Sequence, residues 1–87
     1  GTGDRRRVLL VEDEAAVRSL VRDVLVAHGY EVTDLGDPRD ALVLAGDPGR
    51  RVDLLLSDVI LPQMRGPELA AALRAENHLS DLALYLT

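Results

Sequence analysis

The sequence predicts an α/β fold in which helices cover both faces of a parallel β-sheet. Three observations support this prediction. Short apolar segments alternate with segments of helical periodicity, in the order βαβαβαβ. The first and third apolar segments are nearly continuous, as in strands buried on both faces. Glycine, Asp-Pro or Gly-Pro stands at most of the boundaries. With 87 residues the chain is long enough for one small domain, residues 1–87.

Four segments are predicted to form the strands. Residues 8–11 (VLLV) and 52–57 (VDLLLS) are the most apolar, and charged residues follow each of them closely. Residues 31–35 and 82–86 are the second and fourth predicted strands. Because helices separate them, the strands should run parallel and be joined by right-handed crossovers.

The first helix is predicted over residues 15–28. Its apolar side chains recur at the spacing i, i+3, i+4, i+7 and i+8, which gives an amphipathic helix. These side chains are Val17, Leu20, Val21, Val24 and Leu25. Gly29 follows at the position of a left-handed C-terminal cap.

Two shorter helices are expected further along the chain. The Asp-Pro pair at 37–38 supplies an N-cap and a first helical residue for a helix that ends near residue 45, before Gly46. The Gly-Pro pair at 66–67 opens a helix over about 68–76. Its predicted buried side chains are Leu69, Ala72 and Leu73.

The composition excludes several classes of protein. The absence of Cys excludes a disulfide scaffold and a thiolate metal site, and it fits a reducing cytoplasm. No apolar segment is long enough to span a bilayer. A net charge of −5 argues against direct binding of nucleic acid, whose phosphates attract clustered cations. We therefore expect a cytoplasmic domain that binds neither nucleic acid nor membrane.

Acidic residues follow two of the predicted strands. Glu12, Asp13 and Glu14 come after the first strand, and Asp58 comes after the third. Ligands of open α/β sheets bind beyond the carboxyl ends of the strands. If these strands are neighbours, their ends lie roughly 5 Å apart. Like charges at that distance repel by about 3 kcal/mol per pair at an effective dielectric constant near 20.

Such a cluster requires either a retained proton or a bound cation. Oxygen ligands without His or Cys favour a hard divalent ion such as Mg²⁺. A carboxylate held beside that ion, as Asp58 would be, can attack phosphorus. In the alternative interpretation, the acidic residues before the first helix only complement its dipole, and residues 58–62 form a capped turn.

Three segments resemble the response regulator receiver domain of two-component signalling. VLLVEDE (8–14) resembles its first strand and acidic pair, and DLLLSDVILPQMRGPEL (53–69) its phosphoacceptor strand and following loop. LALYLT (82–87) resembles its fourth strand. The resemblance implies a flavodoxin-like (CheY-like) three-layer fold, truncated after the fourth strand. The sequence of residues 62–69 (PQMRGPEL) also resembles that of receivers in hybrid sensor histidine kinases.

The resemblance implies a role for five residues. Asp58 would be the phosphorylated residue and would take part in binding Mg²⁺. Asp13 would bind Mg²⁺ directly, Glu12 through water, and Ile60 through its backbone carbonyl. Thr87 would be the switch hydroxyl that bonds the phosphoryl group. A histidine kinase or histidine phosphotransfer domain would be the phosphoryl donor, and the domain would be a signalling switch and not a metabolic enzyme.

Two departures from the family favour an alternative function. The chain contains no Lys, whereas receivers have one on their fifth strand that pairs with the phosphate. With the family's strand order of 2-1-3-4-5, residues 82–86 would form an exposed apolar edge. We therefore expect either that the natural protein continues past Thr87 or that two copies pair through this strand as a homodimer. The alternative function is a degenerate, non-phosphorylated receiver that serves interaction or dimerisation. A hydrolase of the haloacid type is weaker, because its Asp-x-Asp motif is missing.

Overall fold

A central parallel sheet with helices on both faces forms the structure, a computed structural model. It describes residues 6–45, 47, 52–75 and 79–86, with residues 45 and 79–86 described by their backbone only. The predicted α/β class and the order βαβαβαβ are confirmed. The strands are β1 (Arg7–Val11), β2 (Glu31–Leu35), β3 (Val52–Asp58) and β4 (Leu79–Leu86). The helices are α1 (Ala15–Ala27), α2 (Pro38–Ala45) and α3 (Gly66–Ala75).

The sheet has the strand order β2-β1-β3-β4, and all three pairings are parallel. This is the order 2-1-3-4 that the resemblance implied. At the carboxyl end of β1, Val11 pairs with Leu35 of β2 and with Ser57 of β3. The ends of these three strands therefore meet at one edge, and the residues after β1 emerge beside the end of β3.

The continuous apolar sequence of β1 is explained by burial on both faces of the sheet. Leu9 and Val11 belong to a core that α2 and α3 cover. Val8 and Leu10 belong to a second core, on the opposite face, against which α1 packs. Each of these four side chains is at most 2% exposed. The arrangement is a three-layer sandwich of helix, sheet and helices.

The predicted helix boundaries are close to those observed, and local hydrogen bonds explain them. Gly29 has a φ of 91°, as expected of a left-handed cap after α1. The His28 ring nitrogen Nδ1 donates to the Val24 carbonyl at 2.8 Å, so the ring satisfies a terminal carbonyl of the helix. At the start of α2, Asp37 Oδ1 accepts the Arg39 backbone N–H at 2.8 Å, which is the predicted N-cap.

Helix α1 covers its face of the sheet incompletely. None of its residues is buried, although Val21 and Leu25 pack partly against the core. Val17, Leu20 and Val24 are 36, 66 and 50% exposed. In the described part of the chain, α1 is the helix that packs on this face, and no second described helix lies beside it to cover these three apolar side chains. The amphipathic pattern of α1 was predicted, but the exposure of its apolar side chains was not.

Three predictions need correction. Ala70 is fully buried in α3 whereas Ala72 is only partly buried, because the helix turns Ala70 with Leu69 and Leu73 toward the core. Strand β4 begins at residue 79, three residues earlier than predicted, since it pairs with β3 from Val52 onward. Strand β3 ends at Asp58 and not at Ser57. The predictions for Gly46 and Thr87 lie outside the described residues.

Of the helices α1, α2 and α3, none has the length and apolar character needed to cross a bilayer.

Candidate functional site

The pairing of β1 with β3 brings together the acidic residues that follow the two strands. Glu12 and Asp13 come directly after β1, and Asp58 is the last residue of β3. One carboxylate oxygen from each of the three side chains lies within 4.8 Å of the others. The predicted adjacency of the two strands is confirmed. Asp13 and Asp58 therefore share one site at the carboxyl edge of the sheet.

The three carboxylates differ in exposure. Glu12 is buried, at 4% exposure, whereas Asp58 is half-buried and Asp13 is exposed. The backbone of Glu12 continues the sheet, since its N–H donates to the Leu35 carbonyl at 3.0 Å. Its side chain is held by the Glu14 backbone N–H, which donates to Glu12 Oε1 at 3.1 Å. The site thus has a buried wall and an open side.

Burial and neighbouring charge change the protonation of Glu12. Burial, a hydrogen bond with Asp58 and the negative charges of Asp58 and Asp13 raise its pKa to about 7, although the Glu14 N–H acts in the opposite direction. Near neutral pH the Glu12 side chain therefore retains a proton for part of the time, and it can donate this proton to Asp58 in a hydrogen bond. Proton retention is one of the two outcomes that the sequence predicted for crowded carboxylates.

The set of ligand atoms also fits a hard divalent cation, and cation binding is the second outcome that the sequence predicted for crowded carboxylates. All three candidate side chains offer carboxylate oxygens, close enough for one ion to contact them or their bound waters. A cation would displace the shared proton, because a metal ligand must be deprotonated. Mg²⁺ suits such a site, since it binds one or two carboxylates and retains water.

The loop after Asp58 is fixed at both of its ends. The Gly66 N–H donates to the Val59 carbonyl at 2.8 Å, and Ile60 and Arg65 form an isolated antiparallel bridge. Between them, Leu61 is 5% exposed and Met64 packs partly against the core of α2 and α3. The Ile60 side chain is 75% exposed. These contacts fix the backbone of the loop that follows Asp58.

Two further side chains contact the backbone of the site. Ser57 is fully buried, and its hydroxyl donates to the Asp58 carbonyl at 2.9 Å. Arg18 of α1 donates from Nη1 to the Glu12 carbonyl at 2.8 Å. The sequence analysis missed this contact. One signal was present: an Arg in the N-terminal part of a helix is opposed by the helix dipole, so a specific partner is expected.

The fold and this acidic edge together define a class of protein. Residues 8–85 match the family model of the response regulator receiver domain, and the chain belongs to that family. The sensor kinase CckA of Brucella abortus is 43% identical over 67 residues, which are 77% of this chain and 7% of that protein. The DNA-binding response regulator MtrA of Mycobacterium tuberculosis is 34% identical over 73 residues, 84% of this chain and 31% of the relative. The chain thus spans less than a third of the length of either relative.

Solved structures show the same fold. The receiver domain from the hybrid histidine kinase CckA superposes with a TM-score of 0.76 at 36% identity, over 90% of this chain and 82% of that chain. The chemotaxis protein CheY4 of Vibrio cholerae gives 0.77 at 34% identity, over 90% of this chain and 65% of its own. The flavodoxin-like fold expected from the resemblance is confirmed.

Proposed function

We propose that the protein is a phospho-accepting receiver of a two-component phosphorelay, with Asp58 as the acceptor. The observation that supports this most directly is the cluster of Glu12, Asp13 and Asp58 at the carboxyl edge of the sheet, with oxygens within 4.8 Å. The donor would be the phosphohistidine of a histidine kinase or histidine phosphotransfer domain. The same proposal places this protein in the cytoplasm.

In the transfer step, a carboxylate oxygen of Asp58 attacks the phosphorus of the donor. An O–P bond forms as the P–N bond breaks, and the electron pair returns to the donor imidazole, which takes up a proton. The half-exposed position of Asp58 leaves this carboxylate accessible to the donor. Glu12 forms the buried inner side of the site.

The residues that would hold Mg²⁺ are Asp13, Asp58 and the Ile60 carbonyl directly, and Glu12 through water. When bound, the ion would neutralise the charge on the carboxylates and on the phosphoryl oxygens. Thr87, as the switch hydroxyl, would respond to phosphorylation of Asp58. The aspartyl-phosphate would shift an equilibrium between two surface conformations, which makes the domain a switch and not an enzyme of metabolism.

A second candidate function is that of an unphosphorylated interaction module. The position of β4 favours a homodimer, since β4 pairs with β3 along one side and its other side has no partner strand in the described part of the sheet.

Labelling with acetyl phosphate separates the two functions. The intact mass should increase by one phosphoryl group in the wild type with Mg²⁺, and not with EDTA. The gain should be lost in Asp58→Asn and kept in Asp40→Asn, a matched control on the exposed face of α2. A wild type without an Asp58-dependent mass gain would contradict phospho-acceptance. Light scattering over a range of concentrations tests the homodimer, and a monomer throughout would exclude it.

A further inference from the structure

Arg18 connects three elements of the fold beneath the acidic site. From α1, its Nη1 donates to the carbonyl of Glu12 at 2.8 Å, in the segment between β1 and α1. Its Nε lies 3.6 Å from Asp34 Oδ2, on β2. Both side chains are largely covered, at 23 and 26% exposure, so their attraction is screened less than that of an exposed pair.

Both backbone polar groups of Glu12 are therefore held. Its N–H donates to the Leu35 carbonyl, and its carbonyl accepts the guanidinium of Arg18. With the backbone held on both sides of the Glu12 Cα, the direction of the Cα–Cβ bond of Glu12 is restrained. The same contact restrains the peptide that leads into Asp13.

The path of the Arg18 side chain depends on a glycine. A Cβ atom on Gly36 would lie 2.8 Å from Arg18 Nη1, closer than a Cβ carbon normally comes to a non-bonded heavy atom. The backbone of Gly36 is not in the left-handed region, so alanine could take its conformation without strain there. A methyl group at residue 36 would thus displace the guanidinium and leave the fold of the chain in place.

We propose that Arg18 is a positioning residue, which acts through the Glu12 carbonyl to hold the acidic residues that follow β1 in the geometry that binds a divalent cation. This inference rests on the proposed function, because it assigns Arg18 to the same site. Arg18 does not itself contact the cation. Partners that orient metal ligands in this way typically change metal affinity by about 10- to 100-fold when they are removed.

The test measures Mg²⁺ affinity directly by isothermal titration calorimetry, without phosphorylation. Arg18→Met should raise the Kd for Mg²⁺ by about tenfold, and Gly36→Ala should raise it in the same direction. Arg18→Lys should raise it less, because an ammonium can still donate to the Glu12 carbonyl. Arg22→Met is the matched control: Arg22 lies 3.7 Å from the same Asp34 oxygen, but no hydrogen bond joins it to Glu12 among the described contacts. Its Kd should stay within about twofold of the wild type, as for a partly exposed ion pair.

Urea unfolding of each variant separates positioning from stability. A variant that unfolds at lower urea but binds Mg²⁺ as the wild type does would show that Arg18 only supports the fold, and would overturn the inference. An equal loss of affinity in Arg22→Met would also overturn it, because the effect would then follow from charge alone. If the wild type binds no Mg²⁺, the proposed function itself fails, and the inference fails with it. If the wild type binds and Arg18→Met binds equally well, only the inference fails.

Discussion

Ionisation of Glu12 is expected to destabilise the metal-free protein as the pH rises. The carboxyl is buried beside Asp58 and Asp13, and its pKa is raised from an ordinary value of 4.5 to about 7. Between these two values the folded state keeps a proton that the unfolded state has released. Because the folded state then binds more protons, the free energy of unfolding falls as the pH increases through this window.

The pKa change sets the size of the effect. One pKa unit corresponds to about 1.4 kcal/mol, so the full loss attributable to Glu12 is of the order of 3 kcal/mol between pH 4.5 and 8. The Asp37 carboxyl does not interfere in this window. Its hydrogen bonds with Arg39 lower its pKa from 3.8, so the stability it provides is lost only as the pH falls below that value.

Urea unfolding followed by circular dichroism, in EDTA at pH 5 to 8, measures the effect. The comparison with Glu12→Gln isolates it, since the other carboxylates titrate in both proteins and the amide does not. Glu14→Gln is the control for the loss of one acidic residue, because that side chain is exposed and outside the cluster. Saturating Mg²⁺ should reverse the loss at pH 8. Equal pH slopes in the wild type and Glu12→Gln would refute the reasoning.

Two further predictions concern the fold. Leu69→Ala should destabilise the protein by about 2–5 kcal/mol, because Leu69 is fully buried between α3 and the sheet. The control Val43→Ala, at a site that is 75% exposed, should lower the free energy of unfolding far less in the same urea titration. Gly29→Ala should destabilise the protein by about 1 kcal/mol or more through backbone strain alone, because φ is +91° and no atom lies within 4 Å of the added methyl. Gly29→Asn should lose less stability. A melting temperature of Gly29→Ala equal to that of the wild type would contradict this prediction.

The parts of the fold that depend on local pattern could be predicted from the sequence. The apolar run of β1 indicated burial on both faces, and Leu9 and Leu10 do contact opposite cores. The strand order that the family resemblance implied then placed Asp13 near Asp58, because the carboxyl ends of adjacent parallel strands share one edge of the sheet. Local pattern located the acidic residues at strand ends, and the strand order of the family was needed to bring them into one cluster.

The remaining features depend on contacts between distant segments. The Arg18 bond to the Glu12 carbonyl requires the packing of α1 against β2, which no local pattern contains. Helical periodicity could not distinguish Ala70 from Ala72, since a small side chain contributes little to an apolar pattern. The start of β4 was missed because Ser80 and Asp81 interrupt its apolar residues, while its pairing follows from the length of β3.

The hydrogen bond between Gly66 and Val59 joins the acceptor strand to the first residue of α3. Val59 is covalently attached to Asp58, so one peptide unit and one hydrogen bond separate the acidic edge from the helix. A small rotation of the Asp58 backbone is therefore transmitted to the first turn of α3 without first being absorbed by the rest of the loop. Helix α3 is therefore mechanically coupled to residue 58. A change at the Asp58 carboxylate should alter the orientation of α3 before it alters that of α1 or α2.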